Sequence, residues 1–367
     1  MISENIDLLI IGAGPAGLAA AIEAQRAGIS NLLVLEKGPS HSQMIRTYYK
    51  EGKRVDAQYA GVEALCTGIL CLRDGNREGY LAMMDHVIES SRIPVLYGTE
   101  VWSLTRTAAI DSFVAATTAG LQYRARFVII AIGKMGRPRQ PDYYKAIPPI
   151  LKNEKHILFD INARSFDGAK LLVVGGGDSA AEYAQMLSVK NDVTLSYRQA
   201  TFSRLNSINE KIMAGMIAER KIRALMPSNI IKIENDNGRP IVEFAEAQYP
   251  PEAFDAVLYG LGGMTPVNFL QTAGVELNSK GEAVTDAAHE SSVPKLYIIG
   301  DLLGHGQGGG SIIGGFNSAS SAVRHLLDRH LKWPLPPEMV SLVGVKRAEL
   351  CQSNRQNPSC RPTRLAI

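Results

Sequence analysis

The hydrophobic positions near the start of the chain form two short runs separated by small residues. Leu8–Ile11 is apolar and leads into the glycine turn Gly12-Ala13-Gly14-Pro15-Ala16-Gly17. Small residues continue to Ala27, and a second run, Asn31–Leu35, is closed by Glu36. Short apolar runs bounded by glycine indicate buried strands, whereas the amphipathic stretch between them indicates a helix. The pattern predicts strand, glycine turn, helix, strand and acid.

This glycine turn has the GxGxxG spacing of a dinucleotide-binding site. Gly12 permits the tight turn, Gly14 lets the backbone approach a pyrophosphate, and Gly17 lets the helix lie close to the strand. The pyrophosphate is expected at the helix N-terminus, where unpaired N–H groups and the dipole favour an anion. Glu36 falls where a carboxylate accepts both hydroxyls of an adenosine ribose. The pattern therefore predicts dinucleotide binding.

The next stretch has weaker periodicity, apart from one amphipathic helix. Asn76 is predicted to cap a helix whose apolar side is spaced for one buried face. The apolar side of this capped helix consists of Tyr80, Met83, Met84, Val87 and Ile88. Before it, we expect a long loop with one short helix at Lys37–Gly61. After it, we expect short strands with a turn at Gly120 over Ser103–Ile132, and then a linker at Gly136–Pro149.

The strand–turn–helix–strand pattern then occurs a second time. Lys170–Val174 is a predicted strand, and Gly175-Gly176-Gly177-Asp178-Ser179-Ala180 is a second GxGxxG/A turn. Ala181–Leu187 is a predicted helix, followed by a strand at Val193–Ser196. An internal repeat of a whole unit is more specific than either copy alone. The chain is therefore expected to contain two dinucleotide-binding domains.

The remaining pattern returns the chain to its first domain. We expect in order a hairpin at Asn237-Gly238, a strand at Ala256–Gly260, a crossing at Gly260–Pro266, a strand at Lys295–Asp301, a glycine-rich turn at Gly304–Gly310 and a helix at Ser311–Arg329. The fold class is thus α/β, with two Rossmann-like three-layer domains, the second inserted into the first. The first occupies residues 1–150 and 260–331, and the second residues 151–259. Residues 332–367 form a mostly irregular tail, with at most a short helix at Glu338–Leu350.

The composition of the 367-residue chain is that of a soluble globular protein, with 46% apolar and 20% charged residues. A net charge of +3 is too small to favour nucleic acid or an anionic membrane as a partner, and no apolar run reaches membrane-spanning length. There is no signal-peptide pattern, and four cysteines are too few for a disulfide scaffold. We therefore expect a cytoplasmic protein without nucleic-acid or membrane partners.

These motifs resemble those of the two-dinucleotide-binding-domain flavoproteins, within them the thioredoxin reductase branch. That branch includes the ferredoxin–NADP reductases of thioredoxin-reductase type and the bacillithiol-disulfide reductases. The resemblance covers roughly residues 7–327. It is carried by the first turn with Glu36, by Ala131-Ile132-Gly133, by the second turn with Glu182, and by Gly300-Asp301.

The resemblance implies an FAD-dependent oxidoreductase that moves hydride between NAD(P)H and FAD, and a homodimer. Electrons would pass to or from a second partner, a small redox protein such as ferredoxin or a small disulfide substrate. The implied FAD residues are Gly12, Gly14, Pro15, Ala16, Gly17, Glu36, Lys37, Gly133, Gly300, Asp301 and Ser311. The implied NADPH residues are Gly175, Gly177, Asp178, Ser179, Ala180, Arg198 and Arg204.

Three departures from the family pattern are visible. Thioredoxin reductases carry a CxxC before the second turn, whereas this chain has Phe159-Asp160-Ile161-Asn162-Ala163-Arg164. Ala16 stands where the bacillithiol-disulfide reductases have cysteine. The chain therefore looks nearer to the ferredoxin–NADP reductase type. In the HRRxxxR pattern that reads the NADPH 2′-phosphate, Arg198 matches the first arginine, while Gln199 and Ser203 replace the others. NADPH is favoured over NADH, and a site that uses neither stays open.

Cys66 and Cys71 have the CxxxxC spacing of a redox dithiol, and are the only candidate catalytic pair. Their apolar neighbours favour two inert buried thiols instead. Three functions stay open: a flavoenzyme with a one-electron carrier, a disulfide reductase using Cys66 and Cys71, and a flavin-bound sensory or structural protein. Cys351 and Cys360 in the tail, and His305 in the glycine-rich turn, are weaker candidates. No histidine spacing indicates a metal site.

Overall fold

The computed structural model describes residues 2–59, 62–63, 65–107, 111–134, 138–263, 266–279, 281–304 and 309–331. Its helices are α1 (Pro15–Arg26), α2 (Gln43–Tyr48), α3 (Arg77–Ser91), α4 (Pro149–Asn153), α5 (Asp178–Leu187), α6 (Ser207–Ala218), α7 (Val267–Thr272) and α8 (Ile312–Leu326). Short 3₁₀ helices span Asp142–Ala146 and Gly300–Leu302, and a π-helix at Leu327–Leu331 extends α8.

Two α/β units contain most of the strands. The strands are β1 (Ile2–Ile11), β2 (Leu32–Leu35), β3 (Arg54–Val55), β4 (Gln58–Tyr59), β5 (Val62–Glu63), β6 (Gly75–Asn76), β7 (Val95–Leu96), β8 (Val101–Thr107), β9 (Ser112–Thr117), β10 (Gln122–Ile130), β11 (Ile157–Leu158), β12 (Lys170–Val174), β13 (Asp192–Ser196), β14 (Ile222–Leu225), β15 (Ile230–Asp236), β16 (Arg239–Phe244), β17 (Glu252–Ala253), β18 (Ala256–Tyr259) and β19 (Leu296–Ile298).

The first unit is built on a seven-stranded sheet of order β7-β2-β1-β10-β9-β8, with β19 also paired to β10. β1 lies between β2 and β10, parallel to both, with Leu8 opposite Leu32 and Phe127. Both faces of β1 are buried, because Leu8 and Ile10 pack with α1 and α8 whereas Leu9 and Ile11 pack on the other side. This explains why its sequence is a continuous apolar run.

The second unit is built on a five-stranded parallel sheet of order β11-β18-β12-β13-β14. α5 and α6 pack on one face with Leu171 and Val173, while the antiparallel sheet β15-β16-β17 covers the other. This unit is inserted between β10 and β19 of the first sheet. The two chain crossings run side by side, because Pro138 and Gly263 form a bridge and Arg139 N donates to Gly262 O at 2.8 Å.

Most of the predicted elements are confirmed. Asn76 caps α3 by accepting a hydrogen bond from Gly79 N at 2.9 Å, and Asn237-Gly238 is the turn between β15 and β16. The Gly136–Pro149 segment, predicted as a plain linker, contains a 3₁₀ helix. Gly136, His305 and the tail, with Cys351, Cys360 and the predicted helix at Glu338–Leu350, lie outside the described residues. Among the helices that are described, none is long and apolar enough to cross a membrane.

Candidate functional site

A cavity of about 630 Å³ lies beyond the carboxyl ends of the parallel strands of the first sheet. This is where ligands bind in open α/β sheets. Its lining includes every residue predicted to bind FAD except Gly17: Gly12, Gly14, Pro15, Ala16, Glu36, Lys37, Gly133, Gly300, Asp301 and Ser311. These residues come from four separate stretches of sequence, which the sheet brings to one edge. Their convergence on one cavity supports a single dinucleotide site.

The three glycines of the first turn have different surroundings. Gly12 has a φ of +107°, and a Cβ there would lie 2.6 Å from Ala131 O. Gly17 packs against Gly12 O, so that α1 lies directly on the turn. A Cβ on Gly14 would meet no protein atom within 4 Å, although Gly14 lines the cavity. The space next to Gly14, at the N-terminus of α1, fits the pyrophosphate of a dinucleotide.

Glu36 is held in place by the backbone of the same turn. Its Oε2 accepts from Ala13 N and its Oε1 accepts from Gly38 N, both at 2.7 Å. The residue is 7% exposed and lines the cavity. A carboxylate offers about four lone-pair sites, so both oxygens keep acceptor capacity for ribose hydroxyls. Glu36 therefore faces the cavity with acceptor capacity left for a ligand, and its role at a ribose stays a prediction.

The return of the chain from the second unit completes the cavity. Asp301 Oδ1 accepts from Gly310 N at 3.0 Å, and Gly300 N donates to Ser318 Oγ on α8 at 3.1 Å. Ser311 caps α8 by accepting from Gly314 N at 2.9 Å, and Ile312 and Gly315 of α8 also line the cavity. The N-termini of α1 and α8 therefore both face it. Two positive helix ends suit a ligand that carries a pyrophosphate and a ring able to hold negative charge.

The aromatic part of the lining could not be predicted from the sequence. The cavity is also lined by Tyr48, Tyr49, Trp102 and Phe269. Tyr48 and Tyr49 lie at the end of α2, a short helix in the stretch predicted as a long loop with one short helix, and Trp102 and Phe269 come from two further elements. No local periodicity distinguishes these positions, because they meet only in the folded chain. They give the cavity the apolar walls that a flat aromatic ring requires.

The second glycine turn repeats the geometry of the first. Gly175 has a φ of +145°, and a Cβ there would lie 2.6 Å from Gly260 O at the end of β18. Gly177 is open, as Gly14 is, whereas Gly176 packs beneath the Tyr197 ring. Asp178 Oδ1 is engaged by Asn206 N and Asn209 Nδ2, both at 2.9 Å, while Ser179 and Ala180 lie in the first turn of α5. The N-terminus of α5 is therefore shaped like that of α1.

The polar residues after β13 form the rim of this second turn. Arg198 and Arg204 are exposed, and Arg204 forms a parallel bridge with Gly177. Gln199 Oε1 accepts from Tyr197 Oη and from Ser203 Oγ, both at 2.7 Å. Gln199 and Ser203, which replace two of the family's arginines, thus bind each other. Among the described residues of this rim, the cations next to the turn are Arg198 and Arg204.

The two units meet at a partly buried ion pair near the cavity. Lys53 Nζ lies 2.6 Å from Glu182 Oε2 on α5 and 3.5 Å from the centre of the Tyr49 ring. Burial alone would lower the pKa of Lys53, but Tyr49 and Glu182 outweigh it and the net direction is upward. Burial raises the pKa of the Tyr49 hydroxyl. Asn162 Nδ2 also donates to Thr47 O at 2.5 Å. These contacts join the two units in this arrangement.

We expect Lys53→Met to loosen this arrangement, because it leaves the Glu182 carboxylate without its cation. A partly buried pair broken on one side is costly, so the arrangement with the pair intact loses population. Small-angle scattering should show a larger radius of gyration for Lys53→Met than for the parent. Lys50→Met, which removes a charge close by in the chain, is the control. Identical scattering for all three proteins would contradict this expectation.

Cys66 and Cys71 are joined in a disulfide, so the prediction of two separate apolar thiols is wrong. Their Cα atoms are 5.5 Å apart, because the chain turns back at Gly68 and Ile69 over α1 and α8. Neither cysteine lines the cavity. That the pair acts in catalysis stays a prediction, and the geometry does not favour it.

Comparison with known proteins shows the family to which the chain belongs. Residues 9–300 match the family model for pyridine nucleotide-disulphide oxidoreductases. A ferredoxin–NADP reductase of Ignicoccus hospitalis is 26% identical over 303 residues, covering 81% of this chain and 90% of that protein. One of Paraburkholderia phymatum is 28% identical over 330 residues, covering 87% of each chain.

Solved structures agree in fold. The bacillithiol disulfide reductase of Staphylococcus aureus superposes with a TM-score of 0.72 at 20% identity, covering 89% of this chain and all of that one. The thioredoxin reductase of T. acidophilum superposes with a TM-score of 0.70 at 22% identity, covering 90% of this chain and all of that one. The Rossmann-like α/β fold with two units is thereby established.

Proposed function

The chain belongs to the pyridine nucleotide-disulphide oxidoreductase family and is an FAD-dependent NAD(P)H oxidoreductase; on that premise we propose that it exchanges electrons with a ferredoxin-like carrier. The observation that carries the proposal is the cavity, which is lined by most of the residues expected to bind FAD and has no cysteine among its described lining residues. An enzyme of this kind without a dithiol beside its flavin passes electrons to its partner directly.

Within this proposal the first unit holds FAD through its own backbone and two acids. Gly14 and the N-terminus of α1 receive the pyrophosphate, and Glu36 accepts from the adenosine ribose. Asp301 accepts from the ribityl chain, and the N-terminus of α8 stabilises negative charge on the ring. When bound, FAD supplies the ring that accepts hydride from nicotinamide. The protein contributes alignment, water exclusion and a polar field.

The second unit binds the nicotinamide nucleotide on the N-terminus of α5, next to Gly175 and Gly177. Arg198, with Arg204, receives the 2′-phosphate of NADPH, because a planar guanidinium matches a phosphate and no acid stands at this rim to bind a bare ribose. We therefore propose NADPH rather than NADH as the nucleotide of this chain.

We expect Arg198→Ala to reduce the preference for NADPH over NADH by roughly 10- to 150-fold in kcat/KM, since one charge-assisted contact contributes about 1.5–3 kcal/mol. The activity with NADH should hardly change. Lys211→Ala, which removes an exposed cation elsewhere in the same unit, is the control. An unchanged ratio for Arg198→Ala would place the 2′-phosphate elsewhere.

The partner is tested by an acceptor screen under anaerobic conditions. The enzyme, reduced with NADPH, is mixed with oxidised ferredoxin, with a one-electron dye and with small disulfides such as oxidised glutathione. We expect ferredoxin and the dye to reoxidise the flavin, and the disulfides to leave it reduced. Reoxidation by a disulfide but not by ferredoxin would contradict the proposal and favour a disulfide reductase.

We propose a cytoplasmic homodimer whose FAD-binding domain comprises residues 1–150 and 260–331, with residues 151–259 as the NADPH-binding domain. The division into domains is supported by the paired crossings at Pro138 and Gly263, where the chain leaves and re-enters the first unit.

A further inference from the structure

The Cys66–Cys71 disulfide has no part in the proposed electron transfer, and its surroundings differ from those of the cavity. The loop between the two cysteines lies across α1 and α8, whose N-termini face the cavity. Gly315 is the last residue of α8 that lines the cavity, whereas the loop contacts Asn317, Ser320 and Arg324, which lie two to nine residues further from the N-terminus of the helix. The disulfide is therefore set back from the flavin end of the helix that it contacts.

Contacts from α8 hold the backbone on both sides of Cys66. Thr67 N and Thr67 Oγ1 donate to Asn317 Oδ1 at 2.9 and 3.1 Å, and Asn317 Nδ2 donates to Leu65 O at 2.8 Å. Arg324 donates to Thr67 O at 2.7 Å. On the Cys71 side, Ile69 N donates to Glu23 Oε1 on α1 at 2.5 Å. The loop closed by the disulfide is thus fixed on the surface of the first unit by specific contacts.

The two cysteines differ in access. Cys71 is 1% exposed and packs with the buried Leu70 and Leu72, whereas Cys66 is 9% exposed. Cys66 is flanked by Leu65, which is 78% exposed, and by the exposed Thr67. A nucleophile coming from solvent therefore reaches Cys66 first, and an apolar side chain stands beside the point of attack.

We propose that Cys66–Cys71 is a thiol–disulfide exchange site that reacts with an external dithiol and not with the flavin. A thiolate of the dithiol attacks the Cys66 sulfur and forms a mixed disulfide, while the bond to Cys71 breaks and Cys71 leaves as a thiol. The second thiol of the reductant then displaces Cys66. The dithiol becomes a disulfide, and Cys66 and Cys71 receive its two electrons and two protons.

The reductant could be a small dithiol or a protein with an exposed CxxC. The exposed Leu65 favours the protein, since an apolar anchor next to the reactive sulfur gives a partner surface something to contact. This site is distinct from the proposed ferredoxin reaction, because neither cysteine lines the cavity.

The test uses the full-length holoenzyme with Cys351→Ser and Cys360→Ser, so that labelled thiols come from this pair alone. Three anaerobic arms receive NADPH, dithiothreitol, or a reduced thioredoxin-fold protein with a CxxC. Thiols are alkylated at timed intervals and counted by mass spectrometry. We expect both dithiols to open the disulfide, and NADPH alone to open it at least ~100-fold more slowly than it bleaches the flavin, since exchange requires direct contact.

Leu65→Glu and Val189→Glu form a matched pair, because both positions are almost equally exposed and Val189 (79%) lies in the other unit. Leu65→Glu should slow exchange with the CxxC protein at least ~5-fold, because the substitution alters the docking of the protein. The rate of opening by dithiothreitol should not change. Val189→Glu should change neither rate.

Opening by dithiothreitol but not by the protein would support the exchange site with a small dithiol as its reductant. Two results would overturn the proposal. One is opening by NADPH as fast as flavin bleaching, which would mean flavin contact. The other is resistance of the folded protein to both dithiols, which would mean a purely structural bond.

Discussion

Gly14→Val should produce a folded but colourless protein. A Cβ at Gly14 would meet no protein atom within 4 Å apart from its chain neighbours, and the backbone there has a φ of −77°, which valine adopts without strain. The valine methyl groups instead enter the cavity where the pyrophosphate is expected. We expect FAD affinity to fall at least ~100-fold, which corresponds to about 2.8 kcal/mol. Flavin absorbance and a binding titration measure this.

Gly12→Val is the informative contrast. At Gly12 the φ of +107° and the 2.6 Å approach of a Cβ to Ala131 O make a side chain incompatible with the turn itself. This variant should lose secondary structure by circular dichroism, whereas Gly14→Val should keep it. If Gly14→Val retained FAD with parental affinity, the pyrophosphate could not lie at the N-terminus of α1.

Glu36→Ala should destabilise even the apoprotein. The Glu36 carboxylate accepts from Ala13 N and Gly38 N in a site that is 7% exposed, and alanine leaves both N–H groups without these acceptors. Hydrogen bonds to a charged group contribute about 1.5–3 kcal/mol each, so the loss of two should lower the free energy of unfolding by roughly 3–6 kcal/mol. Denaturant unfolding of the apoprotein measures this loss separately from FAD binding.

Glu36→Gln is the matched control. The amide oxygen of glutamine can accept from one of the two N–H groups, of Ala13 or Gly38, but not from both. Its NH₂ group is a donor and faces the other N–H without forming a hydrogen bond. We expect an intermediate loss of stability together with weak FAD binding. A Glu36→Ala protein as stable and as yellow as the parent would show that this carboxylate neither organises the turn nor binds the ribose.

The parts of the fold that the sequence predicted are those with a local signal. Gly12, Gly175 and Glu36 stand at fixed offsets from apolar runs, so their positions in and beside the two turns follow from spacing alone. Tyr49 and the Lys53–Glu182 pair could not be predicted, because their contacts join segments far apart in the chain. The Cys66–Cys71 bond was missed for a different reason. Apolar neighbours indicate burial, but they do not reveal that the loop at Gly68 brings the two Cα atoms to 5.5 Å.

Hydride should pass from NADPH into an FAD held by the first unit, and the whole proposed function depends on this step. An anaerobic titration of the purified yellow protein with NADPH, followed by visible absorbance, tests it directly. We expect complete bleaching with one NADPH per FAD, without a thiolate-to-flavin charge-transfer band, because the disulfide lies outside the cavity. A flavin that neither NADPH nor NADH can bleach would contradict it, and so would an end point of two NADPH per FAD.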